Sequence, residues 1–169
     1  ATGGQEWKPD VYAYGQDPRI LTALELDQAL AAADDRVARS RTAVFIQCVG
    51  SREPDRPYCS KVCCTHSVES ALTLKKLNPS MDIYILYRDM RTFGVREDLY
   101  REARNQGIFF IRYDPENKPG VQTEGGQLTV TVIDHVLGLP VTLTPDLLTL
   151  ASAIIPNPVK ELTEAFKVS

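Results

Sequence analysis

The sequence predicts an α/β fold: a Rossmann-like, three-layer domain with a parallel sheet and an additional antiparallel β-meander. Three short runs are apolar almost throughout, as in strands buried on both faces of a sheet; they span residues 43–48, 82–87 and 108–113. Two stretches with apolar residues at helical spacing, 60–77 and 94–105, separate these runs. Because such β-α-β-α-β alternation is built from right-handed crossovers, the three strands are expected to be parallel.

The residues before the first apolar run are expected to form a linker and one helix. Glycine, proline and tyrosine cluster in residues 1–20, which indicates irregular structure. Thr22 is a suitable helix N-cap, and Glu25, three residues later, would complete a capping box. The helix is predicted to run to about residue 33, so residues 1–36 are assigned to a linker and an N-terminal helix.

The residues after the third run change in character. Alternating polar and apolar residues between glycines predict an antiparallel meander, whose strands are residues 121–124, 128–134 and 137–143. Residues 147–155 form a further apolar strand before Pro156-Asn157-Pro158 breaks the chain. The Rossmann-like domain is thus predicted to span residues 37–156, followed by a crossover and a short helix in residues 157–169.

The composition excludes several classes of protein. A chain of 169 residues can bury a sizeable core, so it needs no disulfide framework. Its net charge of -3 argues against nucleic acid or an anionic membrane as a partner. No apolar run approaches the length of a membrane span and no signal peptide is visible, so no direct membrane insertion is expected. The adjacent cysteine pair fits a reducing compartment, and we expect a cytoplasmic protein.

All four cysteines of the chain lie close together in the sequence: they are Cys48, Cys59, Cys63 and Cys64. They follow the first strand of the predicted parallel sheet and precede or begin its first helix, a junction where α/β proteins bind ligands. Four thiols is the number that ligates one tetrahedral metal ion or one cubane iron–sulfur cluster. The cysteines are therefore the candidate functional site.

The segment around the cysteines stands where Rossmann domains bind dinucleotides. The usual loop carries G-x-G-x-x-G, which lets the backbone approach a pyrophosphate. Here the strand is followed by Cys48-Val-Gly-Ser-Arg-Glu-Pro54, with a single glycine, so NAD(P) binding is not expected. Cys63 and Cys64 lie near the start of the next helix, whose free N–H groups favour thiolates and an anionic cluster. Arg52 and Lys61 add positive charge beside the thiols and are expected to tune the site.

Two resemblances point to a family. The order of parallel strands, antiparallel meander and returning strand resembles the nicotinamide-nucleotide domain of thioredoxin reductase-type flavoproteins. The flanking segments Ala1-Thr-Gly3 and Ile154-Ile-Pro-Asn157 resemble the two crossovers that join that domain to an FAD domain. Three segments specifically resemble the heterodisulfide reductase A subunit family: Val44-Phe-Ile-Gln-Cys-Val-Gly-Ser-Arg52, Tyr58-Cys-Ser-Lys-Val-Cys-Cys64 and Ile83-Tyr-Ile-Leu-Tyr-Arg-Asp-Met-Arg91.

The resemblance implies a specific cofactor and specific partners. Members of this family are iron–sulfur flavoproteins of anaerobes, and the resemblance implies one [4Fe–4S] cluster on Cys48, Cys59, Cys63 and Cys64. It further implies FAD in the parent protein, contacts with the FAD domain of the parent chain and with other redox subunits, and a role in electron transfer. The FAD fingerprint and the ferredoxin-type cysteine repeats of the full family member are absent from this sequence. The chain alone is therefore not expected to be catalytically complete.

Two other roles for the cysteines stay open. A structural zinc site has the right ligand count, but zinc sites favour C-x2-4-C pairs, and adjacent cysteines chelate one small ion poorly. The thiols could also be buried core residues or form a disulfide. In either case the domain would be a vestigial nucleotide-binding domain that serves as a structural or interaction module.

Three further residues are candidates for supporting roles. Arg88 and Arg91 follow the second strand, as do arginines that hold an NADP 2′-phosphate, but ion pairing is the favoured interpretation without a glycine loop. His66 could donate a hydrogen bond to a cluster sulfur, although a solvated helix histidine is the simpler interpretation. No nucleophile–base pair is recognisable, so no catalytic residue is assigned.

Overall fold

The structure is a computed structural model that describes residues 3–167. The described residues contain ten strands: β1 (Gly4–Glu6), β2 (Ile20–Thr22), β3 (Thr42–Val49), β4 (Asp82–Tyr87), β5 (Phe109–Arg112), β6 (Gly120–Glu124), β7 (Gln127–Ile133), β8 (Pro140–Leu143), β9 (Leu147–Ser152) and β10 (Ile154–Pro156). They also contain five α-helices: α1 (Ala23–Ala31), α2 (Asp35–Arg39), α3 (Cys63–Leu77), α4 (Glu97–Asn105) and α5 (Lys160–Phe166). A short 3-10 turn, Gly94–Arg96, leads into α4.

Five parallel strands form the central sheet, in the order β2-β9-β3-β4-β5. Strand β3 lies in the middle and is buried from Ala43 to Val49, because both faces of the sheet are covered. Phe45 belongs to the core shared with α1 to α4, whereas Val44 and Ile46 belong to the core shared with β7 and β8. The alternation of side chains along β3 thus divides the molecule into helices, parallel sheet and antiparallel meander. The predicted three-layer α/β fold is confirmed.

The predicted elements of the sheet and meander are confirmed with small shifts of their ends. The helix expected from residue 60 begins at Cys63. The strand expected from residue 137 begins at Pro140, because the Asp134 carboxylate accepts hydrogen bonds from the N–H groups of Val136 and Leu137 and holds a turn there. The strand predicted over residues 147–155 divides at Ala153 into β9 and β10, which belong to different sheets.

The prediction of an irregular linker through residue 20 was wrong at two places. Gly4–Glu6 pairs antiparallel with β10, and Ile20–Thr22 is an edge strand of the central sheet, paired with β9. Both strands have only three residues, so neither shows a periodicity that sequence reasoning could detect. The five-residue helix α2, capped by the Asp34 side chain, was also missed.

The N-terminal helix was predicted correctly, including its cap. The Thr22 hydroxyl accepts a hydrogen bond from the Glu25 N–H, and the Glu25 carboxylate accepts one from the Thr22 N–H. The division of the chain at residues 36 and 156 stays a prediction. Residues 1 and 2 of the first expected crossover lie outside the described residues. Within residues 3–167, no helix is both long and apolar enough to cross a membrane.

Candidate functional site

The four cysteines lie at the carboxyl-terminal end of the middle strand of the central sheet and in the segment that follows it. Cys48 is the next-to-last residue of strand β3, Cys63 and Cys64 are the first two residues of α3, and Cys59 lies in the loop between these elements. Cys48 and Cys64 are buried, whereas Cys59 and Cys63 are partly exposed. All four are free thiols, so the structure shows no disulfide among them. The expectation that the thiols gather at the strand-to-helix junction agrees with this arrangement.

The backbone that carries the thiols is strained at three non-glycine residues. Cys48, Arg52 and Lys61 all have positive φ angles, of 62°, 59° and 64°. At Cys48 the strain coincides with a shift of register between β3 and β9, which turns the chain before it leaves the sheet. Positive φ costs a side-chain-bearing residue of order 1 kcal/mol or more and gathers at functional sites. The cysteine segment is therefore held in an unusual conformation by its surroundings.

Three of the thiols have a weak polar contact. The Cys63 Sγ lies 3.8 Å from the Ser152 carbonyl oxygen, and the Cys64 Sγ lies 3.9 Å from the Asp89 carbonyl oxygen. The Cys59 Sγ accepts a hydrogen bond from the backbone N–H of Lys61 at 3.3 Å. These contacts orient the sulfur atoms while leaving lone pairs available for ligation.

Burial makes three of the thiols weak acids. It raises the pKa of Cys63 to about 12, with the neighbouring Cys64, Cys48 and Cys59 adding to the shift. It raises the pKa of Cys64 to about 11, although the backbone N–H of Arg91 opposes the shift. Burial also raises the pKa of Cys48, against the opposing charges of Arg88 and Arg52. We expected the helix N-terminus to favour thiolates; in the metal-free protein, desolvation outweighs that effect.

Three arginines surround the thiols and are tied to carboxylates. Arg52 and Arg91 both form ion pairs with Asp89, the latter at 3.0 Å. Arg88 is buried, pairs with Glu53 and donates to the Arg52 carbonyl oxygen at 3.1 Å. Ion pairing thus accounts for the contacts of both Arg88 and Arg91, and a nucleotide-binding role for either stays a prediction. Asp89, which joins two of these arginines, was not singled out from the sequence, although the pattern Arg-Asp-Met-Arg at a strand end was visible.

The side chains of the other two expected supporting residues have no described hydrogen bond to a sulfur atom. His66 lies on α3, and its Nε2 is 2.8 Å from the Asp27 carboxylate on α1, so it joins two helices. Lys61 is exposed and meets Cys59 through its backbone. A supporting role for either side chain stays a prediction.

An open cleft of about 520 Å³ lies beside Cys48, at the same carboxyl-terminal end of the strands. Aromatic side chains and a buried cation form its walls: they are Trp7, Tyr12, Tyr113 and Arg88. The Tyr113 hydroxyl donates to the Gln47 carbonyl oxygen at 2.8 Å and so joins β3 to the end of β5. Trp7 and Tyr12 precede the sheet in the sequence, and nothing in their local pattern placed them at this site.

Four thiolates are the donor set of both a structural zinc site and a cubane iron–sulfur cluster. Among residues 3–167, no group of three or more Cys, His, Asp or Glu side chains is arranged to hold one metal ion. Zinc draws its four thiolates to about 2.3 Å from one centre, so a zinc site requires tight convergence. A cubane is a larger body ligated at four corners by separate thiolates, which the four cysteines on β3, the loop and α3 can supply.

Comparisons with known proteins place these features in context. No family model matches the chain. The A subunit of the H(2)/formate:CoB-CoM heterodisulfide,ferredoxin reductase of Methanococcus maripaludis is 36% identical over 171 residues, covering 91% of this chain and 26% of the relative. The iron-sulfur A subunit of the CoB–CoM heterodisulfide reductase of Methanocaldococcus jannaschii is 35% identical over 87% of this chain and 24% of its own length. The chain thus spans about a quarter of these curated relatives.

Solved structures share the fold at much lower identity. The thioredoxin reductase of T. acidophilum superposes with a TM-score of 0.55 at 11% identity, over 92% of this chain and 43% of that one. The flavoprotein disulfide reductase RclA of Escherichia coli gives 0.55 at 16% identity, over 96% of this chain and 31% of that one. These likenesses concern the fold alone. The sequence relatives show that this chain is homologous to a segment amounting to about a quarter of the heterodisulfide reductase A subunit.

Proposed function

We propose that this chain is an electron-transfer domain of a heterodisulfide reductase A-like flavoprotein, and that Cys48, Cys59, Cys63 and Cys64 hold one [4Fe–4S] cluster. The observation that carries the proposal is that four free thiols lie on consecutive parts of the β3–α3 junction: at the end of β3, in the loop and at the start of α3. The homology supports it, since one relative is named as an iron-sulfur subunit. A cluster of this type accepts and returns single electrons.

The residues around the thiols are suited to a site in which iron replaces the thiol protons. Cys63 and Cys64 are neutral at physiological pH in the metal-free protein, because burial raises their pKa values to about 12 and about 11; burial also raises the pKa of Cys48. Ligation therefore releases protons from buried positions, and the resulting negative charge needs compensation. Arg52 and Arg88 supply it beside Cys48. Asp89, paired with Arg52 and Arg91, limits the net positive charge around the site.

The contact between Trp7 and Gly50 argues against a nicotinamide dinucleotide as the ligand of this junction. In a working Rossmann loop, glycine backbone lies open to a pyrophosphate. Here the Trp7 ring covers Gly50, the one glycine of the loop, and a Cβ atom at that position would overlap the ring. This contact supports the proposal that the domain keeps the fold of a nucleotide-binding domain but no longer binds a dinucleotide at this loop.

The proposal extends to the parent protein and its partners. The thioredoxin reductase-like fold and the homology favour FAD in the parent chain, an FAD domain in contact with this one, and further redox subunits. The relative from Methanosarcina acetivorans is named as the A subunit of a ferredoxin:CoB-CoM heterodisulfide reductase. We place this chain in an assembly of the same type, in the cytoplasm.

Iron and acid-labile sulfide analysis of anaerobically purified protein tests the proposal directly. About four irons and four sulfides per chain, with an EPR signal after dithionite reduction, are expected for one cubane on four cysteines. One zinc per chain, or no metal after anaerobic reconstitution with iron and sulfide, would instead indicate the structural module.

A further inference from the structure

The segment that carries Cys59 has little regular structure of its own. Residues 50–62, here called the cysteine loop, contain one isolated bridge between Glu53 and Arg56, and the Arg52 N–H donates to the Tyr58 carbonyl oxygen at 3.0 Å. A loop of this length with so few internal bonds needs external contacts to keep one conformation. Those contacts include the Arg52–Asp89 and Arg88–Glu53 ion pairs and two further sets, which hold the loop nearer to Cys48 and to Cys59.

Trp7 makes one of these external contacts: its ring packs on Gly50 and Arg56 of the loop, and the three residues are here called the Trp7 clamp. The Arg56 guanidinium lies 4.3 Å from the centre of the Trp7 ring, within cation–π distance. Its Nε donates to the Gly50 carbonyl oxygen at 2.6 Å. Gly50 has a φ of 72° and lies directly against the ring, so only a residue without a Cβ fits there. The clamp fixes the loop at Gly50, close after Cys48, and at Arg56, shortly before Cys59.

The clamp is anchored to the sheet. The Trp7 N–H donates to the Ala153 carbonyl oxygen at 2.8 Å, and the Ala153 N–H donates to the Val49 carbonyl oxygen at 2.8 Å. Trp7 is thereby tied through one residue between β9 and β10 to the end of β3, next to Cys48. A ring held from behind in this way can resist displacement of the loop in front of it.

A second set of contacts holds the loop on either side of Cys59. The Tyr58 hydroxyl donates to the Ile154 carbonyl oxygen at 3.2 Å, and the Ile154 N–H donates to the Ser60 hydroxyl at 3.0 Å. Both neighbours of Cys59 are therefore bonded to one residue of β10. The loop is fixed at both its Gly50 end and its Cys59 end by the segments that flank the central sheet.

We infer that Trp7 and Arg56 are positioning residues of the cysteine site, which hold the loop that carries Cys59 in one conformation, so that Cys59 can share a cluster with Cys48, Cys63 and Cys64. The inference rests on the proposed function for the cluster, but the clamp itself is a property of the loop with or without metal. Neither residue has a described contact with a sulfur atom; both act through the backbone of the cysteine loop.

The test compares Trp7→Phe, Trp7→Ala and Arg56→Lys with Arg39→Lys as a control. Arg39 forms an exposed ion pair with Asp35, and the exchange changes the same chemical group far from the thiols. Arg56→Lys keeps the charge and creates no trypsin site, because Pro57 follows, but it loses the planar group that stacks on Trp7 and the Nε donor. Trp7→Phe keeps an aromatic ring against Gly50. Circular dichroism establishes that each variant is folded.

Two readouts judge the inference. In metal-free protein, trypsin should cleave after Arg52 and Lys61 about tenfold faster in Trp7→Ala and Arg56→Lys, because the loop opens more often. In anaerobically reconstituted protein, the same two variants should lose iron and sulfide severalfold and show an altered EPR line shape. Trp7→Phe should keep cleavage rates and iron content close to those of the wild type, and Arg39→Lys should match the wild type in both readouts.

The outcomes separate the inference from the proposed function. Wild-type cleavage rates, iron content and EPR line shape in both Trp7→Ala and Arg56→Lys would overturn the positioning role. A wild-type protein that holds no cluster would overturn the proposed function, and the trypsin rates would still decide whether the clamp holds the loop. If Trp7→Ala fails to fold, Arg56→Lys decides: wild-type cleavage rates and iron content in that variant would overturn the positioning role.

Discussion

At the scale of single residues, the site combines an electron-pair donor with an environment that keeps it protonated. The Cys63 and Cys64 thiols are the clearest case, since burial raises their pKa values to about 12 and about 11. A neutral thiol is a poor nucleophile, and it becomes a ligand only when the incoming metal displaces its proton. The acidity of the thiols is therefore a property that solution measurements can determine.

We expect the alkylation of these two thiols to depend on pH in a characteristic way. In folded, metal-free protein at about pH 8, iodoacetamide should modify Cys63 and Cys64 about 10- to 50-fold more slowly than in the urea-unfolded chain. The sign follows from the raised pKa values, because the neutral thiol predominates until the pH approaches the pKa values of about 11 and about 12. In the folded protein the rate should keep rising above about pH 9, where that of an ordinary cysteine levels off. Site-resolved mass spectrometry measures both rates, and equal rates in folded and unfolded chains would contradict the effect of burial.

The ligand assignment is tested by Cys64→Ser and Cys48→Ser. If four thiols share one cluster, serine leaves an iron with a harder and poorer ligand, so iron and sulfide content should fall sharply after anaerobic reconstitution. The fold should survive, since the cores around Phe45 and Ile46 do not depend on metal. Circular dichroism checks this, with Thr73→Ser on the exposed part of α3 as the control. Full iron and sulfide content in Cys64→Ser would remove that residue from the site.

At the scale of elements, the helices are fixed by local signals that the sequence displays. Helix α1 begins with the Thr22–Glu25 capping box, whose two hydrogen bonds satisfy N–H groups that would otherwise lack partners. Thr22 also ends strand β2 and is fully buried, so water has no access to replace its hydroxyl as an acceptor. The cap therefore contributes to the edge of the sheet as well as to the helix.

Replacing the cap should lower the free energy of unfolding. We expect Thr22→Ala to destabilise the protein by about 1 to 2 kcal/mol, through the lost cap bond and an unsatisfied N–H group. Thr22→Ser, which keeps the hydroxyl, should cost less. Urea unfolding measures the difference. Thr73→Ala is the control, because the exposed Thr73 hydroxyl only donates to the Glu69 carbonyl oxygen within helix α3. A Thr22→Ala midpoint equal to that of wild type would show that the cap contributes nothing.

At the scale of the whole molecule, a nucleotide-domain architecture carries a different site at its usual binding edge. We expect NADH and NADPH to bind weakly or not at all, because the loop has one glycine and the Trp7 ring covers it. Arg88, a residue at the nucleotide-like position, is buried against Glu53 and cannot reach a phosphate without breaking that ion pair. Isothermal titration calorimetry measures the affinity; a dissociation constant in the low micromolar range would overturn this prediction.

The isolated domain is also expected to lose its cluster readily in air. Cys59 and Cys63 are partly exposed, and Tyr58 and Val62, beside them, leave 40% and 50% of their surface accessible. Oxygen can therefore reach the ligands, and iron lost from the site leaves thiols that can form disulfides. Iron content and visible absorbance followed after exposure to air measure the loss. A full cluster that persists for days would contradict the prediction.

Local patterns in the sequence were enough to predict part of this molecule. Continuous hydrophobicity identified the central strands around Phe45 and Ile85, and helical spacing identified α3, because burial on two faces and on one stripe leave different periodicities. The capping box at Thr22 was visible as two residue types at fixed spacing. The four cysteines were recognised because no other part of the chain contains thiols.

Other features depend on contacts between distant residues, and the folded chain was needed to see them. Strand β1 pairs with β10, and Trp7 packs on Gly50 and Arg56; each contact joins segments that no local signal connects. The raised pKa values of Cys63 and Cys64 arise from burial beneath the folded chain, which reversed the effect expected from the helix N-terminus alone. Short strands are stabilised, and side chains are packed and desolvated, by residues that are distant in the sequence. These features therefore exist only once the chain has folded.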